Sequence, residues 1–244
     1  MTDERRAMRV AAVGDLHVTK DAAGRLKPVF DQVSSKADVL LLCGDLTDYG
    51  LPEEAHVLAK ELAAVKIPML AVLGNHDYES GHAEQVKTIL GEVGVKVLDG
   101  DSHEIDDVGF AGAKGFCGGF GRGTLGPWGE MAVKAFVKEA LDEALKLESA
   151  LARLRTERRI ALLHYAPIRD TVEGEPPEIL PFLGCSRLEE PLARYPVTAC
   201  FHGHAHRGQP RGQTRSGVSV YNVALPLLRR ELGHDLPVRI VELA

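Results

Sequence analysis

Three histidines stand at every second position of the stretch FHGHAH, residues 201–206: His202, His204 and His206. On a regular strand a period of two points all three imidazoles to the same side. Buried imidazoles need partners for their nitrogens and protonated neighbours repel, so such a cluster is costly unless something uses it. Neutral imidazole is the commonest metal ligand, and the chain holds further donors of compatible kind. Asp15 and His17 lie in GDLH, Asp45 in GDLTD, Asn75, His76 and Asp77 in GNHD, and His164 in LLHYAP. Carboxylate, imidazole and amide oxygen without thiolate suit manganese, iron or zinc. So many donors exceed the needs of one ion with an open position, and two ions sharing a bridging carboxylate account for them. Two ions roughly 3.5–4 Å apart can activate a water and stabilise both apical oxygens of an in-line displacement at phosphorus.

Singly, each group has an ordinary structural explanation. An Asp after a buried strand commonly caps a helix or forms a turn, and a lone His on an apolar strand is commonly a satisfied core residue. Here five such groups end five apolar runs, MRVAAVGD, DVLLLCGD, IPMLAVLGNHD, RRIALLHYAP and PVTACFHGHAH. In open α/β sheets ligands bind outside the carboxyl ends of the strands, and glycines in these motifs let the backbone turn sharply there. Amphipathic segments at 26–36, 52–65 and 80–93 predict helices between the first three strands, which would then be parallel and covered on both faces. All five groups would sit at one end of that sheet.

The glycine-rich stretch 111–129 reads as a loop. Phe136, Ala140, Ala144, Leu147, Leu151 and Leu154 then fall at three- and four-residue steps and predict a long helix over 130–155. Residues 186–195 suit a short helix, and GVSVYNVA and LPVRIVELA suit two last strands. Without repeats or a break in composition, the expectation is one domain over 1–244, with the loop and long helix, about 111–156, inserted in its middle.

A hydrophobic fraction of 45% and a charged fraction of 26% place the chain among ordinary soluble globular proteins. Its formal net charge of −6 argues against a broad nucleic-acid footprint. Cys43, Cys117, Cys185 and Cys200 contain no C-x-x-C pair, which points to buried thiols in a reducing compartment. The opening MTDERRAM is charged and no apolar run reaches bilayer length, so the expectation is a cytoplasmic protein without a membrane partner.

The ordered set GDLH, GDLTD, GNHD, LLHYAP and GHAH closely resembles the calcineurin-like metallophosphoesterase superfamily, over Asp15 to His206. The resemblance implies an α/β fold of two mixed β-sheets packed face to face as a sandwich, with flanking helices. It implies that Asp15, His17 and His206 hold one metal, that Asn75, His164 and His204 hold a second, and that Asp45 bridges both. His76 would contact the substrate phosphate or leaving oxygen, oriented by Asp77. Because the last motif is Gly-His-any-His, His202 falls outside it as a core or supporting residue, with Gly203 taking the backbone out of regular strand geometry. The implied reaction is attack of a metal-bridging hydroxide on a small phosphoester. A phosphodiester stands ahead of a phosphomonoester or nucleotide, and the acidic charge argues against a nuclease. Arg122 in the glycine-rich loop, with Arg207, Arg211 and Arg215, could pair with phosphate oxygens or could line a solvated hairpin. A metal-binding scaffold without turnover is the non-enzymatic alternative; it predicts missing ligands, and every ligand position is filled.

Overall fold

Apolar runs bounded by glycine make the strands that matter most. In the computed structural model, which describes residues 7–243, β1 (Met8–Val13), β2 (Val39–Cys43) and β3 (Met69–Val72) are almost wholly buried. The charged opening, 1–6, lies outside the described residues. Between these strands run α1 (Lys27–Lys36) and α2 (Pro52–Leu62), followed by α3 (Ala83–Glu92), within a few residues of the predicted helices. Proline at the first turn of α1 and α2 lacks only an N–H that a helix start leaves unbonded anyway.

The chain continues through β4 (Val95–Val97), β5 (Asp101–Ile105) and β6 (Val108–Gly112) to the long helix α4 (Met131–Arg153). Then come β7 (Arg158–Leu162), α5 (Glu189–Arg194), β8 (Ala199–His202), β9 (Arg211–Gln213), β10 (Ser219–Asn222), α6 (Leu225–Leu232) and β11 (Arg239–Leu243). One sheet has the order β11-β1-β2-β3-β4, with β1 to β4 parallel and β11 antiparallel at its edge. The other has the order β5-β6-β7-β8-β10-β9, with a parallel centre and antiparallel edge strands. The two mixed sheets share a core, as the resemblance implies. The single sheet of the motif reading is therefore corrected: three of the ligand-bearing runs belong to one sheet and two to the other.

Alternation along the second sheet explains the layering. Phe110, Ile160, Leu162 and Phe201 face the first sheet and join its core. Their neighbours Ala111, Ala161, Leu163 and Cys200 face the opposite way and pack with Leu147 and Leu151 of α4. α4 thus covers the outer face of the second sheet and α1 to α3 pack on the first. Among the described residues no helix is long and apolar enough to cross a membrane.

Candidate metal centre

The loops leaving β1, β2, β3, β7 and β8 converge at the carboxyl ends of both sheets, tied by backbone bonds. Asp15 N–H donates to the Gly44 carbonyl (2.8 Å), His17 N–H to that of Asp45 (3.0 Å), Gly14 N–H to that of Val223 (2.8 Å) and Gly203 N–H to that of His164 (3.2 Å). Among the described residues five non-glycines adopt a positive φ, and four of them are Asp15 (54°), His17 (44°), Asp45 (48°) and His204 (69°). Each such residue costs on the order of 1–3 kcal/mol and persists only where its surroundings enforce it. Two glycines allow the close approach. A Cβ on Gly74 would stand 2.2 Å from Asp45 Oδ1, and one on Gly203 would stand 2.2 Å from Asp15 Oδ2. The left-handed turn after β8 belongs to His204, and Gly203 serves close packing. Regular strand geometry ends at His202, so Gly203 is the first residue outside β8, as expected.

All seven candidate ligands meet here. Donor atoms of Asp15, His17 and His206 lie within 4.8 Å of one another, as do those of Asp45, His164 and His204. A third group, His17, Asp45 and His76, links the two, so Asp45 belongs to both halves. Asn75 Oδ1 lies 2.9 Å from His164 Nε2. Backbone amides hold the carboxylates: His204 N–H donates to both oxygens of Asp15 at 2.9 Å, and His76 N–H donates to Asp45 Oδ1 at 2.9 Å.

The set fits a pair of cations. His17 Nε2 is buried without any hydrogen-bond partner, while its Nδ1 lies 3.3 Å from Asp48 Oδ1. A buried imidazole nitrogen without a hydrogen-bond partner, among carboxylates, fits the chemistry of a cation ligand. His164 Nδ1 contacts the Cys43 carbonyl at 3.0 Å, which fixes the proton there and turns Nε2 toward Asn75, Asp45 and His204. Electrostatics agree. Burial pushes the His164 imidazole down, but the Asp45 carboxylate pushes it further up, to about 9. Burial and His164 push His204 down to about 4, and the bond to Asp15 raises His206. The buried carboxylates Asp45 and Asp15 thus favour positive charge on His164 and His206.

The remaining sequence-predicted residues fall in several places. The His76 ring packs edge-on against His17, with centroids 4.6 Å apart, and its Nδ1 contacts the Asp48 carbonyl at 2.7 Å. That leaves Nε2 for a ligand. Asp48, three residues after Asp45 in GDLTD, is thus a supporting residue that the sequence reading missed.

The expectation that Asp77 orients His76 is corrected. Asp77 is fully buried and its carboxylate accepts from Leu46 N–H (3.1 Å), Thr47 N–H (2.8 Å), Thr47 Oγ1 (2.6 Å) and Gly74 N–H (2.8 Å). It clamps the loop bearing Asp45 to the loop bearing Asn75. Asp77→Asn turns an amide NH2 toward these donors, and the expected loss is about 1–3 kcal/mol of stability. Urea denaturation of both proteins measures it, and an unchanged midpoint overturns the clamp.

His202 is fully buried, with Nδ1 2.7 Å from the Gly203 carbonyl and Nε2 2.8 Å from Thr171 Oγ1. Both nitrogens are taken. Among the arginines, Arg211 lies on β9 with its guanidinium over the Tyr221 ring (5.5 Å) and bonded to Ser219 Oγ (3.1 Å). The exposed Arg122 lines a cleft of about 560 Å³ with Ser186, Arg187, Glu189 and Arg215, whose walls include none of the seven candidate ligands. Arg207 is exposed beside His206, and its backbone N–H donates to Glu175 (2.6 Å). The described contacts of Arg122 and Arg211 are with the cleft walls and with Tyr221 and Ser219.

The family profile described as calcineurin-like phosphoesterase matches residues 8–208. No curated protein matches the chain. Among solved structures, phosphopantetheinyl hydrolase of Mycobacterium tuberculosis superposes with a TM-score of 0.68 at 15% identity, covering 95% of each chain. TT1561 of Thermus thermophilus gives 0.59 at 14% identity, over 97% of this chain and 98% of that one. GAP50, the anchor in the inner membrane complex of Plasmodium, gives 0.58 at 12% identity, over 90% of this chain and 72% of that one. At these identities the likeness is one of fold.

Proposed function

The chain belongs to the calcineurin-like phosphoesterase family of metal-dependent hydrolases, and we propose that it cleaves a small phosphoester, a phosphodiester first, at a centre of two transition-metal ions. One observation carries this reading: two donor groups meet at Asp45, with the buried Nε2 of His17 lacking any hydrogen-bond partner and lying 3.9 Å from Asp45 Oδ2. Asp15, His17 and His206 would hold one ion; Asn75, His164 and His204 would hold the other, with Asp45 shared. Manganese, iron and zinc suit such donors. When bound, the ions supply Lewis acidity, which acidifies water and draws charge from phosphoryl oxygens.

The protein's own groups do the rest. Amides of His204 and His76 hold the two carboxylates in place, and the Cys43 carbonyl fixes the tautomer of His164. His76, oriented through Nδ1 by Asp48, presents Nε2 toward the shared region. An oxygen of water, having given up a proton, would form the new bond to phosphorus as the bond to the leaving oxygen breaks. The electron pair of the broken bond stays on the leaving oxygen, and a proton on His76 Nε2 would neutralise it. Four buried, free cysteines support a reducing compartment such as the cytoplasm.

Metal removal tests the reading. Chelated protein is expected to lose hydrolysis of bis(p-nitrophenyl) phosphate and of p-nitrophenyl phosphate, and to regain it on titration with about two equivalents of manganese per chain. The ratio of the two rates ranks diester against monoester. Undiminished turnover by metal-free protein overturns the assignment.

A further inference from the structure

Lys114 stands beside this centre and, although Glu143 and Glu139 act on it at longer range, makes no ion pair among the described residues. It follows β6, and its carbonyl accepts from His164 N–H (3.0 Å) and Tyr165 N–H (3.1 Å), which seats it at the same carboxyl end as the candidate ligands. Its ammonium lies 5.4 Å from the centroid of the Tyr165 ring, 5.9 Å from that of Tyr78 and 4.9 Å from that of Phe116. The Tyr165 ring packs in turn on His204, with centroids 4.5 Å apart. Tyr78 closes the short 3-10 helix that begins at His76. Lys114 is therefore framed by the residues that directly follow two of the site's loops.

An ammonium has three donors, and Lys114 uses one, on the Gly115 carbonyl at 2.8 Å. Among the described residues no carboxylate lies within 4 Å of it. Glu143 is nearby, but its oxygens accept from Gly115 N–H (2.8 Å) and Lys146 Nζ (2.7 Å). Ring faces compensate a half-buried cation only in part. Loading two cations beside it adds repulsion that neither Asp15 nor Asp45 offsets, because their charge is matched by the ions.

We propose that the substrate carries a second anionic group beside the scissile phosphoester, and that the Lys114 ammonium receives it; this rests on the phosphoesterase reading above. The partly buried Tyr78 and Phe116 would flank the connecting part of such a substrate, with the buried Tyr165 behind them. Lys114 is then a specificity-determining residue, and the substrate class narrows to phosphoesters with a neighbouring phosphate or carboxylate.

Calorimetry with non-hydrolysable probes tests it on the manganese-loaded protein. Methylphosphonate has one anionic group, phosphonoacetate adds a carboxylate, and methylenediphosphonate adds a second phosphonate. The wild type is expected to bind at least one of the two dianionic-group probes about tenfold tighter than methylphosphonate, and the better of them identifies the second group. Lys114→Met is expected to erase that preference, with methylphosphonate affinity within about twofold, and Lys114→Arg to keep most of it. A preference that survives in Lys114→Met, or none in the wild type, overturns the proposal. If Lys114→Met does not fold, Lys114→Gln gives the same comparison. Turnover of bis(p-nitrophenyl) phosphate separates the two ideas. Hydrolysis without the probe preference removes the Lys114 assignment alone, and the preference without any hydrolysis removes the hydrolase reading alone.

Discussion

Asp45→Asn is expected to empty both halves of the centre at once. The substitution keeps the shape of the side chain, and the amide oxygen can still accept the bond from His76 N–H seen at 2.9 Å. What disappears is the charge. Burial works against ionisation of Asp45, but His164 and the bond from His76 N–H outweigh it and hold the carboxyl well below its usual range. Asp45 also appears in two of the three donor groups, one shared with His17 and one with His164. Loss of a residue that merely supports a ligand typically costs 10–100-fold in affinity or activity. A charged ligand common to two ions should therefore cost more than about a hundredfold in turnover, with metal content falling toward zero. Elemental analysis of the folded variant and turnover of bis(p-nitrophenyl) phosphate measure the two effects. His202→Gln, at a histidine whose nitrogens are both bonded inside the protein, should retain the full metal content under the same conditions. One fully occupied ion and a normal rate in Asp45→Asn would sink the shared-carboxylate arrangement.

The parts of this protein that are readable in the sequence share a physical reason. β1, β2 and β3 are buried on both faces, so they appear as unbroken apolar runs, and the donors follow directly where each run stops. α4 declares itself by its stripe, and the structure ends it at Arg153, two residues short of the expected boundary. β5, in contrast, has the sequence DSHEI at an edge of the second sheet, where only Ile105 packs against the core. Its pairing with β6 is fixed by backbone bonds that leave no trace in the pattern. α6 escapes the sequence reading because its LPLLRREL sits between two strand-like runs and is short. At the centre, residue types survive translation into space and second neighbours do not. Asp77 stands next to His76 in the chain, yet the short 3-10 helix His76–Tyr78 turns its carboxylate into the amides of Leu46, Thr47 and Gly74. Asp48, which does hold the His76 ring, acts through its backbone carbonyl, and any residue type could supply that atom.

His76→Ala should give the most diagnostic defect, because its size depends on the leaving group. The substitution removes no member of the seven-ligand set, and the backbone N–H that holds Asp45 remains in place. Metal content should therefore stay that of the wild type. What is lost is a proton donor at the position where the leaving oxygen develops charge. An alkoxide is a strong base and gains much from a neighbouring protonated imidazole, whereas a nitrophenolate is already stable and gains little. General acid catalysis typically contributes 10²–10⁴-fold, so alkyl and nucleoside esters should lose about that factor and nitrophenyl esters less than about tenfold. Asp48 contributes a backbone oxygen to the ring, so Asp48→Asn should leave the His76 contact intact and should not reproduce this selectivity. Rates for a matched pair of alkyl and nitrophenyl diesters, with metal content measured on the same samples, decide the matter. If His76→Ala slows both esters by one common factor, His76 binds the phosphate uniformly and the leaving-group proton comes from another source.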